Sequence, residues 1–360
     1  MSGTSFSSTF LSRMKRLLPS PLFRLFLRRS GKRSKARSGK GPIAQAVSAS
    51  PPPSPTNSTS FSAVRNDSQS HYELAQRLQK LSPPDLNWYG SDVVQIVGAA
   101  PFASGGSADV WKGWFQDRPV AVKDLRCYSS SEFDPAEIGI RFLKEVWAST
   151  NLSHPNVVPI LGVYSSPAHP FALVYEMMEN VDLRQHLAQQ PAISRLKFLA
   201  EISRALKHLH GLDITHGNIK LRNLLVDSNH VARLGGFGSA FSLSLPASWS
   251  DVESERLFGG IAPELIDPRA FGFVEARDTK ATDMFSFGML AWEVLVGRPP
   301  FAGQSDAAVI LSVFRNNRPP RPVHPEVTDR VWNMIERCWN KDPFNRMSAA
   351  EVVDILEAEL

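Results

Sequence analysis

His216-Gly217-Asn218-Ile219-Lys220-Leu221-Arg222-Asn223 is the stretch on which the reading of this chain turns. It sets one imidazole, two carboxamides and two cations close together, and it holds no carboxylate. Twelve residues after Asn223 begins the run Gly235-Gly236-Phe237-Gly238, which again carries no acid. An amide such as Asn218 cannot act as a general base near neutral pH and accepts hydrogen bonds only through its carbonyl oxygen. Gly236 brings no side-chain ligand for a hard, oxygen-seeking cation.

The chain changes character on the two sides of this stretch. Upstream, β-branched runs begin at Val93-Val94-Gln95-Ile96-Val97 and recur at Asp109-Val110-Trp111, Pro119-Val120-Ala121-Val122-Lys123, Val158 to Val163 and Phe171 to Tyr175. They surround one helical pattern, Ile140 to Leu152, and predict a small sheet with a single helix. Downstream of Asp182 the periodicity is mainly helical, with helices expected over Arg195–Leu209, Thr282–Val296, Ser305–Asn316, Thr328–Trp339 and Ser348–Leu360. No internal repeat is visible.

Several short motifs follow one another in this frame. They are Ala103-Ser104-Gly105-Gly106-Ser107-Ala108-Asp109-Val110, Val120-Ala121-Val122-Lys123, Phe142-Leu143-Lys144-Glu145 and His154-Pro155-Asn156-Val157-Val158. Beyond the opening stretch come Ala262-Pro263-Glu264, Asp283-Met284-Phe285-Ser286-Phe287-Gly288 and Cys338-Trp339-Asn340-Lys341-Asp342-Pro343-Phe344-Asn345-Arg346. In this order they make residues 95–360 resemble the protein kinase domain, closest to the tyrosine-kinase-like branch expanded in fungi. The resemblance implies an α+β, bilobal kinase fold, with a β-rich N-lobe holding one main helix over 93–178 and a larger helical C-lobe over 179–360.

The same resemblance implies the site. The glycine-rich turn of the family lies over the phosphates, because residues without Cβ let backbone N–H groups approach the anion closely. Here Gly105 and Gly106 remain while Ala103 and Ala108 stand at the outer glycine positions, so a looser cover is expected. Lys123 and Glu145 match the ion pair that holds the α- and β-phosphates. Val110, Ala121 and Leu225 fall where the family encloses adenine; the same residues would also serve a plain core, and the letters do not separate the two roles. Tyr175 stands at the gatekeeper position, with Glu176 and Met177 next to it in the nucleotide-binding set.

In the family the catalytic-loop aspartate accepts the substrate hydroxyl proton, while the downstream Asn and the Asp before Phe-Gly hold magnesium. Asn218 replaces the first and Gly236 the second, leaving Lys220, and Asn223 as the one metal ligand of that pattern. ATP is therefore expected to bind weakly and Mg2+ is doubtful. Gly259-Gly260-Ile261 stands where this branch has Arg-Trp-Met, which predicts a featureless substrate platform. The architectural set is complete: Glu264 and Arg346 match a buried ion pair, and Asp283 matches the residue that braces the catalytic loop.

Composition sets the remaining bounds. A chain of 360 residues with 42% hydrophobic content can bury a two-lobed core and leave a tail. It has no run of eighteen apolar residues, so no membrane span is expected. Cys127 and Cys338 lie far apart and outside any ligand spacing, which argues against disulfide or zinc frameworks and for a reducing compartment. The net charge of +5 is an average: residues 1–40 hold eleven Lys or Arg, Arg65 adds one, and no acid precedes Asp67. Removing those twelve from 40 basic residues leaves 28 against 35 acids, so the rest sums to about −7 and offers no basic face to nucleic acid.

Residues 1–70 read as a disordered basic Ser/Pro-rich tail, and 71–92 as a helical or irregular lead-in with Leu74, Leu78 and Leu81 ahead of Pro83-Pro84. Within the tail, Phe10, Leu11, Met14, Leu17 and Leu18 recur at helical spacing beside Arg13, Lys15 and Arg16. Three readings stay open: a solvated arm, a mitochondrial transit peptide over 1–40, and a segment that touches anionic membrane or a nuclear import receptor. A cytoplasmic location is the expectation, with mitochondrion and nucleus as alternatives.

Scaffold residues that match the family's pattern, beside catalytic and metal positions that do not, lead to the expectation of a pseudokinase that binds other proteins, an active kinase among them. The competing expectation is a slow Ser/Thr or Tyr protein kinase with atypical catalytic and metal sites.

Overall fold

The computed structural model describes residues 71–76, 78–79, 86–105, 108–125, 135–179, 183–242 and 260–360. Expectations on the tail, Gly106, Cys127, Asp182 and Gly259 lie outside the described residues.

Alternation along one strand shows how the N-lobe is built. In β5 (Arg118–Leu125) Val120 and Val122 are fully buried on one face, whereas Ala121 and Lys123 between them are half-buried on the other. A period of two does this, since successive side chains of a strand point to opposite faces. β5 pairs antiparallel with β4 (Ala108–Phe115) and with β7 (Ala172–Glu176). Gln116 and Asp117, the two residues joining β4 to β5, both have positive φ (49° and 61°). That is the signature of the two-residue hairpin turn whose twist matches its strands.

The sheet runs β1-β6-β7-β5-β4-β2, where β1 is Trp88–Tyr89, β2 Val94–Val97 and β6 Ile160–Tyr164, and β3 (Ala103–Ser104) adds to β4. β6 begins later than the expected Val158. Proline cannot donate to a ladder, and the Val158 N–H goes instead to Leu234 O at 3.0 Å, across to the C-lobe. Helix α1 (Pro135–Asn151) packs under the sheet and buries Phe142, Leu143, Glu145 and Val146.

The lead-in takes part in this lobe. Helical residues 71–76 and 78–79 bury Ala75 and Leu78 in the same cluster as Phe142 and Phe171, and β1 pairs parallel with β6. Ala75 and Leu78, both buried, anchor the segment to the lobe.

The C-lobe is organised around helix α2 (Arg195–Gly211) and helix α3 (Lys280–Val296). Thr279 and Thr282 form a reciprocal capping box at the start of α3, and Gly297 ends it at φ 82°. Gly288 lets α3 approach Cys338 and Trp339 closely, since a Cβ there would lie 3.1 Å from Cys338 Cβ. The helix expected to run to Leu360 stops at Glu357. The observed architecture is the α+β bilobal kinase fold, a curled sheet above a helical lobe. No helix among the described residues is long and apolar enough to cross a membrane.

Candidate functional site

The cleft roof is the hairpin of β3 and β4. Ala103 pairs with Val110 and Ser104 with Asp109, and Gly105 N donates to Ala108 O at 2.9 Å. The Ser104 hydroxyl donates to Asp109 Oδ1 at 2.7 Å. Val110 lies opposite Lys123, and Ala121 opposite Tyr175. The strand period puts these on one face of the sheet. Half-buried Leu225, on β8 (Leu224–Val226), packs with Ala121 against the cluster that holds Tyr175. Met177 is half-buried and Glu176 exposed at the end of β7.

Lys123 Nζ meets Glu145 Oε1 at 2.5 Å, with side-chain exposures of 21% and 1%. The same oxygen accepts a second bond, from the Tyr175 hydroxyl at 3.0 Å. Ser149 Oγ lies 3.2 Å from that hydroxyl. Burial, and next the Glu145 charge, push the Tyr175 pKa well above its ordinary value, so the phenol stays a donor. Tyr175 thus fills the back of the cleft and fastens α1 through Glu145. The sequence marked Tyr175 for its size; the bond to Glu145 had no signal in it.

The loop from His216 to Asn223 is braced from beneath. Asp283 Oδ2 accepts from His216 N at 2.8 Å and lies 3.0 Å from His210 Nε2, while Oδ1 accepts from Gly217 N at 2.9 Å. His216 Nδ1 accepts from Asn218 N at 3.2 Å, so Nε2 carries the proton and donates to Gly235 O at 3.0 Å. Burial lowers the His216 pKa and keeps the ring neutral. Phe237 packs on His216 with ring centroids 5.1 Å apart and is fully buried.

Asn218 and Lys220 line a cavity of about 20 Å3 together with Asp278, Thr282 and Ser286. Asp278 was not singled out in the sequence, and it arrives here because Gly217 leaves room: a Cβ on Gly217 would sit 3.3 Å from its carboxyl carbon. Gly260 is tied down, its carbonyl accepting the Ser286 hydroxyl at 2.8 Å.

Gly236 adopts a left-handed φ of 81°. A Cβ on it would lie 2.6 Å from Asn223 Cγ and Oδ1, so the Asn223 side chain occupies that space. Asn223 Nδ2 in turn donates to Asn218 O at 2.7 Å. With no side-chain oxygen at Gly236 and Asn223 Nδ2 committed to the loop, Asn223 Oδ1 is the one ligand this pair can offer, so the two residues do not fit a divalent cation held between two side chains. Groups suited to anionic oxygens are present at the other end of the cleft: the Lys123 ammonium, and the Arg222 guanidinium near Gly105.

Glu264 and Arg346 form a bidentate pair, with Nη1 to Oε1 at 2.5 Å and Nη2 to Oε2 at 2.7 Å. Arg346 also donates to Ala281 O and Asn340 O and lies 5.0 Å from the Phe285 ring centroid. Arg318, equally close to Phe285, has its pKa lowered to about 10 by burial and by Arg346. Arg318 therefore stays charged at neutral pH.

Residues 98–356 match the family described as protein tyrosine and serine/threonine kinase. The serine/threonine/tyrosine-protein kinase HT1 of Arabidopsis thaliana is 27% identical over 274 residues, covering 74% of this chain and 67% of that protein. The serine/threonine-protein kinase mos of Patiria pectinifera is 30% identical over 294 residues, covering 75% and 79%. The dual specificity protein kinase pyk3 of Dictyostelium discoideum is 28% identical over 268 residues, 74% of this chain but 18% of that protein. The chain spans less than half the length of some curated relatives it matches, 42% for the kinase STY46 of Arabidopsis thaliana. With the family model covering most of the chain, it belongs to the protein tyrosine and serine/threonine kinase family, whose members in general use ATP and Mg2+.

Proposed function

We propose that this chain is a pseudokinase of the tyrosine-kinase-like branch, of fungal type, which holds nucleotide in its cleft, transfers phosphate inefficiently and acts by docking to other proteins, an active kinase among them. The observation that carries this reading is the pair Asn218 and Gly236 at the floor of a cleft whose scaffold is intact. Phosphoryl transfer needs a group to orient the attacking hydroxyl and cations on the phosphates. A carboxamide does the first poorly, and loss of the base contribution typically forfeits about 10²–10⁴ in rate. The two losses act on one transition state, so they are not judged by adding single effects. The reading carries with it a cytoplasmic location and no nucleic-acid role for the folded part.

The test is transfer of the ATP γ-phosphate to a generic acceptor and to the protein itself, with Lys123→Met as background. No Lys123-dependent turnover is expected; turnover near ordinary kinase rates overturns the reading. One observation favours a second reading, a slow kinase: Asp278 shares the wall of a cavity with Asn218 and Lys220. If turnover does appear, Asp278→Asn abolishes it on that second reading.

A further inference from the structure

Arg222 lies between Lys220 and Asn223 and reaches across the cleft to the roof: a Cβ on Gly105 would be 3.9 Å from its Nη1. The side chain is exposed, and it has no hydrogen-bond or ion-pair partner among the described residues. The charges around the phosphate space then read as follows. Lys123 is neutralised by Glu145, Asp109 is held by Ser104, and Asp278 lies beside Gly217 at the far end of the loop. Arg222 is the cation beside Gly105, and Gly236 across the cleft offers no side-chain ligand to a metal.

From this placement we propose that Arg222 takes the place of the missing divalent cation, so that the cleft binds the metal-free polyphosphate of a nucleoside triphosphate between Arg222, Lys123 and the Gly105 hairpin. The inference rests on the nucleotide-binding part of the reading above. A guanidinium presents a planar fork of donors that matches phosphate oxygens two at a time, and it never deprotonates. Free ATP also carries more negative charge than its magnesium complex, which leaves more for a cationic roof to attract. Magnesium in excess therefore competes with Arg222 for the phosphate oxygens instead of helping it.

The experiment measures binding of ATP and AMP to the full chain by thermal shift and calorimetry, once in EDTA and once with excess MgCl2. Wild type is expected to bind ATP in EDTA at least as tightly as with magnesium. Arg222→Ala should weaken ATP about tenfold or more in EDTA, the worth of a charge-assisted hydrogen bond. Arg222→Lys should keep part of that loss, and AMP, lacking the outer phosphates, should not sense the change. Arg222 is exposed and has no hydrogen-bond or ion-pair partner among the described residues, so the unliganded melting temperature of both variants should match wild type. Binding that requires magnesium, or Arg222→Ala binding ATP like wild type, overturns the proposal. Absence of any ATP binding also overturns it, and leaves the phosphotransfer result to decide the pseudokinase reading by itself.

Discussion

The carboxamide of Asn223 fills the space above Gly236: a β-carbon on Gly236 would lie 2.6 Å from Asn223 Cγ, while Asn223 Nδ2 bonds Asn218 O at 2.7 Å. The two positions are therefore adapted to one another, and an acid cannot return to position 236 without displacing its neighbour.

Gly236→Asp is expected to destabilise the fold. A side chain at φ 81° costs about 1–2 kcal/mol, and the Asn223 bond must break as well. Denaturant titration should show a lower midpoint, partly recovered by Asn223→Ala, which removes the clash. A midpoint equal to or above wild type would refute the crowding argument.

Tyr175→Phe and Lys123→Met remove different partners of one buried oxygen, Glu145 Oε1. The phenylalanine loses the bonds to Glu145 and Ser149 while the ion pair remains, so a cost of about 1–2 kcal/mol is expected. The methionine leaves a carboxylate that is 1% exposed without its cation, and about 3 kcal/mol or more is expected. Equal losses in chemical denaturation would mean that the two contacts do not share the work as the geometry indicates.

Truncation should separate tail from fold. Removing residues 1–66 is expected to leave the melting temperature unchanged, because that composition cannot offset its ordering entropy. Removing residues 1–85 deletes the helical segment that buries Ala75 and Leu78, and Leu78→Ala by itself should cost about 2–5 kcal/mol. A large drop for the shorter deletion, or none for the longer, contradicts this division.

Stability should fall with acid. Burial lowers the pKa of His216, and also those of His154, His186 and His324. Each group then binds its proton less readily folded than unfolded, so its contribution is complete above the unfolded value of about 6.5 and is lost as pH falls through the lower folded value. Protonating His216 Nδ1 also removes the acceptor for Asn218 N. Melting temperature should decline between about pH 7.5 and 5, and His216→Gln should flatten part of that slope while lowering the curve as a whole. A melting temperature that rises towards acid would sink this account.

Much of the fold was legible because its signals are local. Alternation through Val120-Ala121-Val122-Lys123 reports a strand with one face in a core, and helical periodicity from Arg195 to Leu209 reports the helix that runs Arg195–Gly211. The segment before Val93 was less legible: Trp88–Tyr89 pairs with a strand far along the chain, and two residues make no period to read. The start of β6 slipped for a similar reason, since Val158 bonds across to the other lobe.

By itself the sequence determined which chemical groups the cleft can call upon, because Asn218 and Gly236 carry no carboxylate in any conformation. It also determined the family, through motifs whose order along the chain is their message. The tertiary structure alone decided which of these groups touch. Asn223 occupies the void over Gly236, the Tyr175 hydroxyl finds Glu145, and Arg222 reaches Gly105, each because the fold brings distant backbone segments within the few ångströms over which hydrogen bonds and packing act.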